Sequence, residues 1–126
     1  MQLTEHTPGN YYFIQSVGPG HVTLQGITYH QSLVVGAHLL ETSWEVPSME
    51  ALTADHLDIL IKYQPEVIIL GQGVTQRFPD PAVFHLCHTQ GIGLECMTLE
   101  AACRTFNVLM SENRRALLGI LFPIIQ

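Results

Sequence analysis

Two stretches hold the residues best placed to do chemistry. Gly71-Gln72-Gly73 leaves an apolar run, and Glu95, Thr98, Arg104 and Asn107 fall in or just after the next one. A glycine turn behind a strand is where phosphate-cradling loops form, but the third glycine of a dinucleotide fingerprint would stand at position 76, which is Gln76. The next helix signal also comes late, at Asp80-Pro81, so its N-terminus stands apart from any phosphate held by those glycines. A tight turn closing a buried strand is the simpler reading. The two apolar runs should nevertheless be parallel neighbours, and in open α/β sheets ligand crevices form at the carboxyl ends of such strands. The expected site is therefore a crevice walled by Gly71, Gln72, Gly73, Arg77, Glu95, Thr98, Arg104 and Asn107.

Alternation puts Glu95 on the face of Met97 and opposite Cys96, inside an apolar strand. A buried carboxylate there requires a cation, which Arg77, Arg104 or Arg114 can supply. Glu100 and Arg104 stand four apart with the acid first, the spacing of a surface ion pair on a helix. His85 and His88 share a helical face, but no carboxylate or third histidine completes a metal-ligand pattern. Ser16, Ser32, Ser43, Ser48 and Ser111 lack the glycine frame of a nucleophile elbow. Cys87, Cys96 and Cys103 are odd in number, have no CxxC spacing and sit in apolar-periodic segments, which reads as buried, inert thiols in a reducing compartment. No catalytic residue, no metal and no cofactor is expected, and the balance leans away from an enzyme.

Composition narrows the partners. Of 126 residues, 47% are hydrophobic and 13% charged, a thin charged coat for a chain that otherwise has the apolar content of one folded domain spanning 1–126. A homo-oligomer or a protein partner covering one face would reduce the charged area needed, and a compact monomer covered by Thr, Gln, Ser and His is the equal alternative. The formal charge of −6, with five Lys and Arg in all, argues against nucleic acid. Arg104, Arg114 and Arg115 fall in the last quarter, which keeps a small anionic ligand in view. Met1 to Asn10 has neither a basic nor an apolar leader segment, and the run Ala116 to Ile125 is about half a bilayer span. The expectation is a cytoplasmic protein without membrane insertion.

The elements that must position the crevice follow from pattern. Tyr11 to Val17 and His21 to Leu24 read as a hairpin about Gly18-Pro19-Gly20, with further extended runs at Ile27 to Tyr29 and Leu33 to Val35. Ala37 to Val46 is ambiguous, and its Trp44 is expected to be partly buried. From Pro47 onward strands and helices alternate. A helix capped by Thr53 ends at Pro65, and a strand spans Glu66 to Leu70. A helix from Pro81 ends at Gly91, and a strand spans Leu94 to Met97. A helix capped by Thr98 runs Leu99 to Glu112, and a last strand covers Ala116 to Phe122, with Gly119 marking a bulge or close approach. On the third helix Ala102, Thr105, Phe106 and Leu109 make the packed face, and Glu100, Arg104, Asn107 and Ser111 the opposite one. A β-rich start followed by this alternation implies a mixed sheet with helices packed on it.

Pro65 to Gly73 and the longer stretch Gly91 to Leu109, continuing through Ser111-Glu112-Asn113-Arg114-Arg115-Ala116, resemble bacterial members of the Mth-nine-three-eight-like family, a domain of unknown function. Its mitochondrial relative is an assembly factor of complex I, NADH dehydrogenase. The resemblance covers nearly the whole chain. It implies a three-layer α/β domain with a mixed central sheet and an additional N-terminal antiparallel β layer, and it brings no established catalytic residue. The family's helical Thr98, Arg104, Thr105 and Asn107 are present, while Gln72 stands where the glycine turn would carry Thr. The resulting expectation is a non-catalytic binding or assembly-accessory protein, linked to respiratory complex assembly. The alternative is a small anionic ligand-binding protein or weak enzyme using the crevice before Gly71 and Thr98.

Overall fold

A computed structural model describes residues 11–124. The expectations on Met1 to Asn10 and on Ile125 lie outside the described residues. The first third is antiparallel. Strands β1 (Ser16–Gly18), β2 (His21–Leu24) and β3 (Ile27–Tyr29) form a three-stranded sheet. Pro19-Gly20 closes the first hairpin, with Gly20 at φ 74°. Gln25 and Gly26, both at positive φ, close the second. The expected strand from Tyr11 is shorter than its composition implies. Residues 11–15 form no regular ladder: Tyr12 N–H donates to Ala37 O and Gln15 N–H to Thr23 O, while Ile14 is bonded to the Asn107 side chain rather than to a neighbouring strand.

The second sheet has the order β5-β4-β8-β6-β7, built from β4 (Leu33–Val35), β5 (Leu40–Glu41), β6 (Val67–Gly71), β7 (Gly93–Met97) and β8 (Ala116–Ile120). Strands β6, β7 and β8 are mutually parallel, and β4 runs antiparallel to both β5 and β8, so the sheet is mixed. Between β5 and β6 the expected helix is only a 3-10 turn, Ala54–Leu57, running into the single turn α1 (Asp58–Ile61). Helix α2 (Pro81–Thr89) starts on the Asp80 carboxylate, which accepts from the Ala82 amide at 2.8 Å. Helix α3 (Leu99–Ser111) follows Thr98 directly.

Alternation along the sheet feeds two cores, which makes three layers. Leu33, Val35, Ile69, Leu118 and Ile120 pack with Ile14, Val17, Val22 and Leu24 of the small sheet and with Ala102, Cys103, Phe106 and Met110 of α3. Val34, Ile68, Leu70, Cys96 and Leu117 face the other way, toward Trp44, Leu57, Leu60, Val83 and Cys87. Trp44 is buried more deeply than expected: its ring lies over Gly119, where an added Cβ would stand 3.0 Å from it, and its indole N–H donates to the His56 carbonyl at 3.0 Å. The expected close approach at Gly119 is this contact.

Two reversals bring the chain to the amino end of the parallel strands. After α2, Gly91 at φ 71° lets the amides of Gly91 and Ile92 bond the carbonyls of His88 and Cys87. After α3, Asn113 at φ 58° does the same, with its own amide on Met110 O and the Arg114 amide on Leu109 O at 2.9 Å. The second turn delivers Arg114 and Arg115 to the mouth of β8.

Candidate functional site

The exits of β6 and β7 lie side by side, with Gly71 paired to Met97. The shared rim expected from sequence is therefore present, and the protein largely fills it. Gln72 N–H donates to Met97 O at 3.3 Å, Leu99 N–H to Gly73 O at 2.8 Å, and Leu121 N–H to Gly71 O at 3.0 Å. The side chains are spent the same way. The Gln72 carboxamide oxygen accepts from the Met49 amide at 2.7 Å, and Gln76 Nε2 donates to Cys96 O at 2.8 Å, on the outer side of edge strand β7. Gly71 is required by packing: a Cβ there would stand 2.6 Å from the Ala102 Cβ and 3.4 Å from the Leu99 Cα, so helix α3 can lie on β6 only over a bare backbone.

The remaining expected residues disperse. Arg77 reaches outward to Glu50 at 3.1 Å, both well exposed. Glu95 is exposed and forms no ion pair among the described residues, which corrects the expectation of a buried carboxylate with a cationic partner. The reason is that β7 is a sheet edge, so one side of its outer face stays in water. Arg104 is also exposed, and it does not pair with Glu100 despite the favourable spacing. An exposed pair gains too little to hold two flexible side chains. Thr98 occupies the N-cap position without a side-chain cap bond, and the first helical amide, that of Leu99, donates to the Gly73 carbonyl. Asn107 belongs to the buried face of α3, not the polar one. Its carboxamide accepts from Ile14 N at 2.8 Å and donates to Ile14 O at 2.9 Å, replacing the missing strand partner of residue 14.

Ser32, which sequence reasoning passed over, plays a similar part. Its hydroxyl accepts from the Phe122 amide at 2.8 Å and donates to Val46 O at 2.6 Å, fastening the chain beyond β8. A polar residue at the start of an apolar strand is the signal that could have found it. The three cysteines are free and buried as expected. Burial, with Glu95 and Cys87 adding to it, pushes the Cys96 thiol up to about 11. Burial, with Glu100 adding, pushes Cys103 up to about 12, and burial raises Cys87 as well. Such thiols carry almost no nucleophilic thiolate at neutral pH.

What the rim leaves open is an apolar hollow of about 370 Å³ between the β1–β2 turn, the loop after Gly73 and the chain beyond β8. Val17, Leu99, Leu121 and Phe122 line it beside Gln72 and Gly73. Glu100 is the charged residue in its wall, and Val74, 92% exposed, stands at its lip. Arg77 and Arg104 are not part of this lining. Among the described residues no helix is long and apolar enough to cross a membrane.

Residues 14–121 match the family described as "Protein of unknown function (DUF498/DUF598)". The fold is similar to that of XCC1710 from Xanthomonas campestris, with a TM-score of 0.84 and 36% identity over 100% of this chain and 96% of that one. It is also similar to a Bordetella pertussis protein described as a Mth938-like domain, with a TM-score of 0.78 at 22% identity, over 96% of this chain and 92% of that one. The "13 kDa major membrane protein" of Francisella tularensis is 27% identical over 81% of this chain and 84% of its own length. Assembly factor 3 of the NADH dehydrogenase (ubiquinone) 1 alpha subcomplex from Drosophila melanogaster is 30% identical over 65% of this chain, which spans 44% of that protein. By sequence and by its mixed five-stranded sheet with an added antiparallel β layer, the chain belongs to the DUF498/DUF598 family, with the Mth938-like fold.

Proposed function

We propose that this chain is a non-catalytic accessory protein that docks a protein partner at the carboxyl end of its central sheet, as an assembly factor does. The observation that carries the reading is the chemistry of the rim. Its backbone amides and the Gln72 carboxamide oxygen are already bonded internally, and the surface left over is an apolar hollow with an exposed Val74 at its edge. Apolar cores ringed by polar groups suit protein docking. A small anion at this end is the weaker reading, since the hollow is lined by the Glu100 carboxylate and by no cationic side chain. Similarity to the Drosophila assembly factor supports a partner in a NADH dehydrogenase complex. Three buried free thiols support a reducing cytoplasm as its place of work.

The test is a photo-crosslinking residue at position 74 in the source organism. A single dominant protein adduct, lost when excess unmodified chain competes, is the expected result. Absence of any competed adduct overturns the docking face, and an adduct to a second copy of the chain replaces the partner with self-association. Native gels of membranes from a deletion strain test the respiratory link. A reduced NADH dehydrogenase complex is expected, and a normal level contradicts it. Fractionation tests the location, with recovery in the soluble fraction expected and recovery in membranes against it.

A further inference from the structure

At the opposite end of the sheet, a second hollow of about 340 Å³ opens between the amino ends of β6 and β8 and the carboxyl end of α3. Leu39, Met110, Leu117 and the half-exposed Tyr63 supply apolar wall, and Arg114 and Arg115 both contribute to the lining. In a chain with eleven Asp and Glu against five Lys and Arg, the residues lining this hollow include two arginines and no acidic residue, and Glu66 stands beside them on Arg114.

Both guanidiniums are held by one edge. Arg114 Nε donates to Glu66 Oε1 at 3.1 Å, and Arg115 Nε donates to the Gln64 carbonyl at 3.3 Å. Glu66 is fixed in turn by the Arg115 backbone amide at 3.0 Å. That bond and the Arg114 contact hold its carboxyl below the usual range. Among the described residues, the terminal Nη nitrogens of both arginines have no hydrogen-bond partner. An arginine anchored through Nε presents its Nη pair as a preset two-pronged donor for an oxyanion. The Asn113 turn, with its positive φ, fixes where both arginines begin.

We propose that this hollow binds an amphiphilic organic carboxylate, its head on the Arg114 and Arg115 forks and its apolar body against Leu39, Tyr63, Met110 and Leu117. The volume lies in the range of small-molecule sites, and a few fixed polar donors on an apolar wall are their usual make-up. The site is independent of the docking surface at the other end.

The experiment titrates the labelled chain with decanoate below its micelle threshold, with decanol and with inorganic phosphate, following amide shifts by NMR. Decanoate should shift Leu39, Tyr63 and Ala116. Decanol and phosphate should each bind about tenfold more weakly or worse, because each lacks half of the recognition. Arg115→Gln should weaken decanoate about tenfold, with Arg77→Gln as a control that changes nothing. Equal binding of decanoate and decanol, shifts confined to Val17 and Leu121 at the other hollow, or an Arg115→Gln chain that binds decanoate normally would each overturn the proposal. Thermal unfolding of Arg115→Gln confirms that any lost binding is not lost folding.

Discussion

The two ends of the central sheet carry hollows of similar size and opposite character. At the carboxyl end Gln72, Gln76 and Arg77 are all engaged by the protein itself, and the 370 Å³ hollow has one carboxylate in its wall. At the amino end two arginine side chains are tied by a single edge each, and the residues lining the 340 Å³ hollow include no acid, with Glu66 standing beside it on Arg114. Residue type alone does not separate the two ends, because both contain arginine and amide side chains. What separates them is which donors remain after backbone carbonyls and neighbouring acids have taken their share. A glycine turn at a strand exit is thus a structural device here, and recognition of charge falls to the end that fold rules pass over.

Both ends rest on the same two cores, so the largest test acts beneath them. An unfolded thiol ionises near 9.0, whereas Cys96 and Cys103 are raised to about 11 and about 12. Above pH 9 the unfolded chain therefore releases protons that the folded chain keeps, and stability falls as pH rises. Below pH 9 these groups contribute no slope. Denaturant melts from pH 8 to 11 should show a loss of several kcal/mol toward the alkaline limit, and a flat profile contradicts the buried thiols.

Removing a polar group that the fold has spent should come next. Asn107→Leu strands both polar groups of Ile14 in the core, and urea unfolding should show a loss of roughly 3 kcal/mol. Gly71→Val drives a side chain into Ala102 and Leu99, at a cost of about 2 kcal/mol or more. Gln72→Ala releases the Met49 amide and should cost about 1 kcal/mol. Arg114→Gln at the other end removes only a solvent-screened ion pair, and its effect should be the smallest of the four. If Arg114→Gln destabilises as much as Gln72→Ala, the contrast between spent and free groups fails.

Much of the architecture was legible because it rests on local rules. Gly91 ends α2, Asp80-Pro81 starts it, and the short apolar runs at β6 and β8 announce strands covered on both faces. The helix expected before Pro65 was not obtained at full length, since Leu57 and Leu60 can fill the core from a 3-10 turn and one α-helical turn. The candidate site was legible as a place and not as a set of partners. Parallel pairing of β6 and β7 follows from the alternation of elements, but the bond from Gln72 to Met49 spans 23 residues and leaves no local pattern. Asn107 misled for a related reason. Helical periodicity assigns an amide to the wet face, and only the unpaired backbone of Ile14, 93 residues away, explains why it is buried. Glu95 required knowing that β7 is an edge, which depends on strand order.

Amide hydrogen exchange at Met49, Gln72 and Leu99, resolved by NMR, tests the closed rim most directly. These three donors hold the loop after β6 onto its neighbours, at 2.7, 3.3 and 2.8 Å. If the carboxyl end is closed by its own chain, all three should exchange far more slowly than the exposed residues 74–77, with Leu99 approaching the protection of β6 and β8. Exchange of all three at the rate of residues 74–77 would mean an open rim with free polar groups, and the contrast between the two ends of the sheet would not stand.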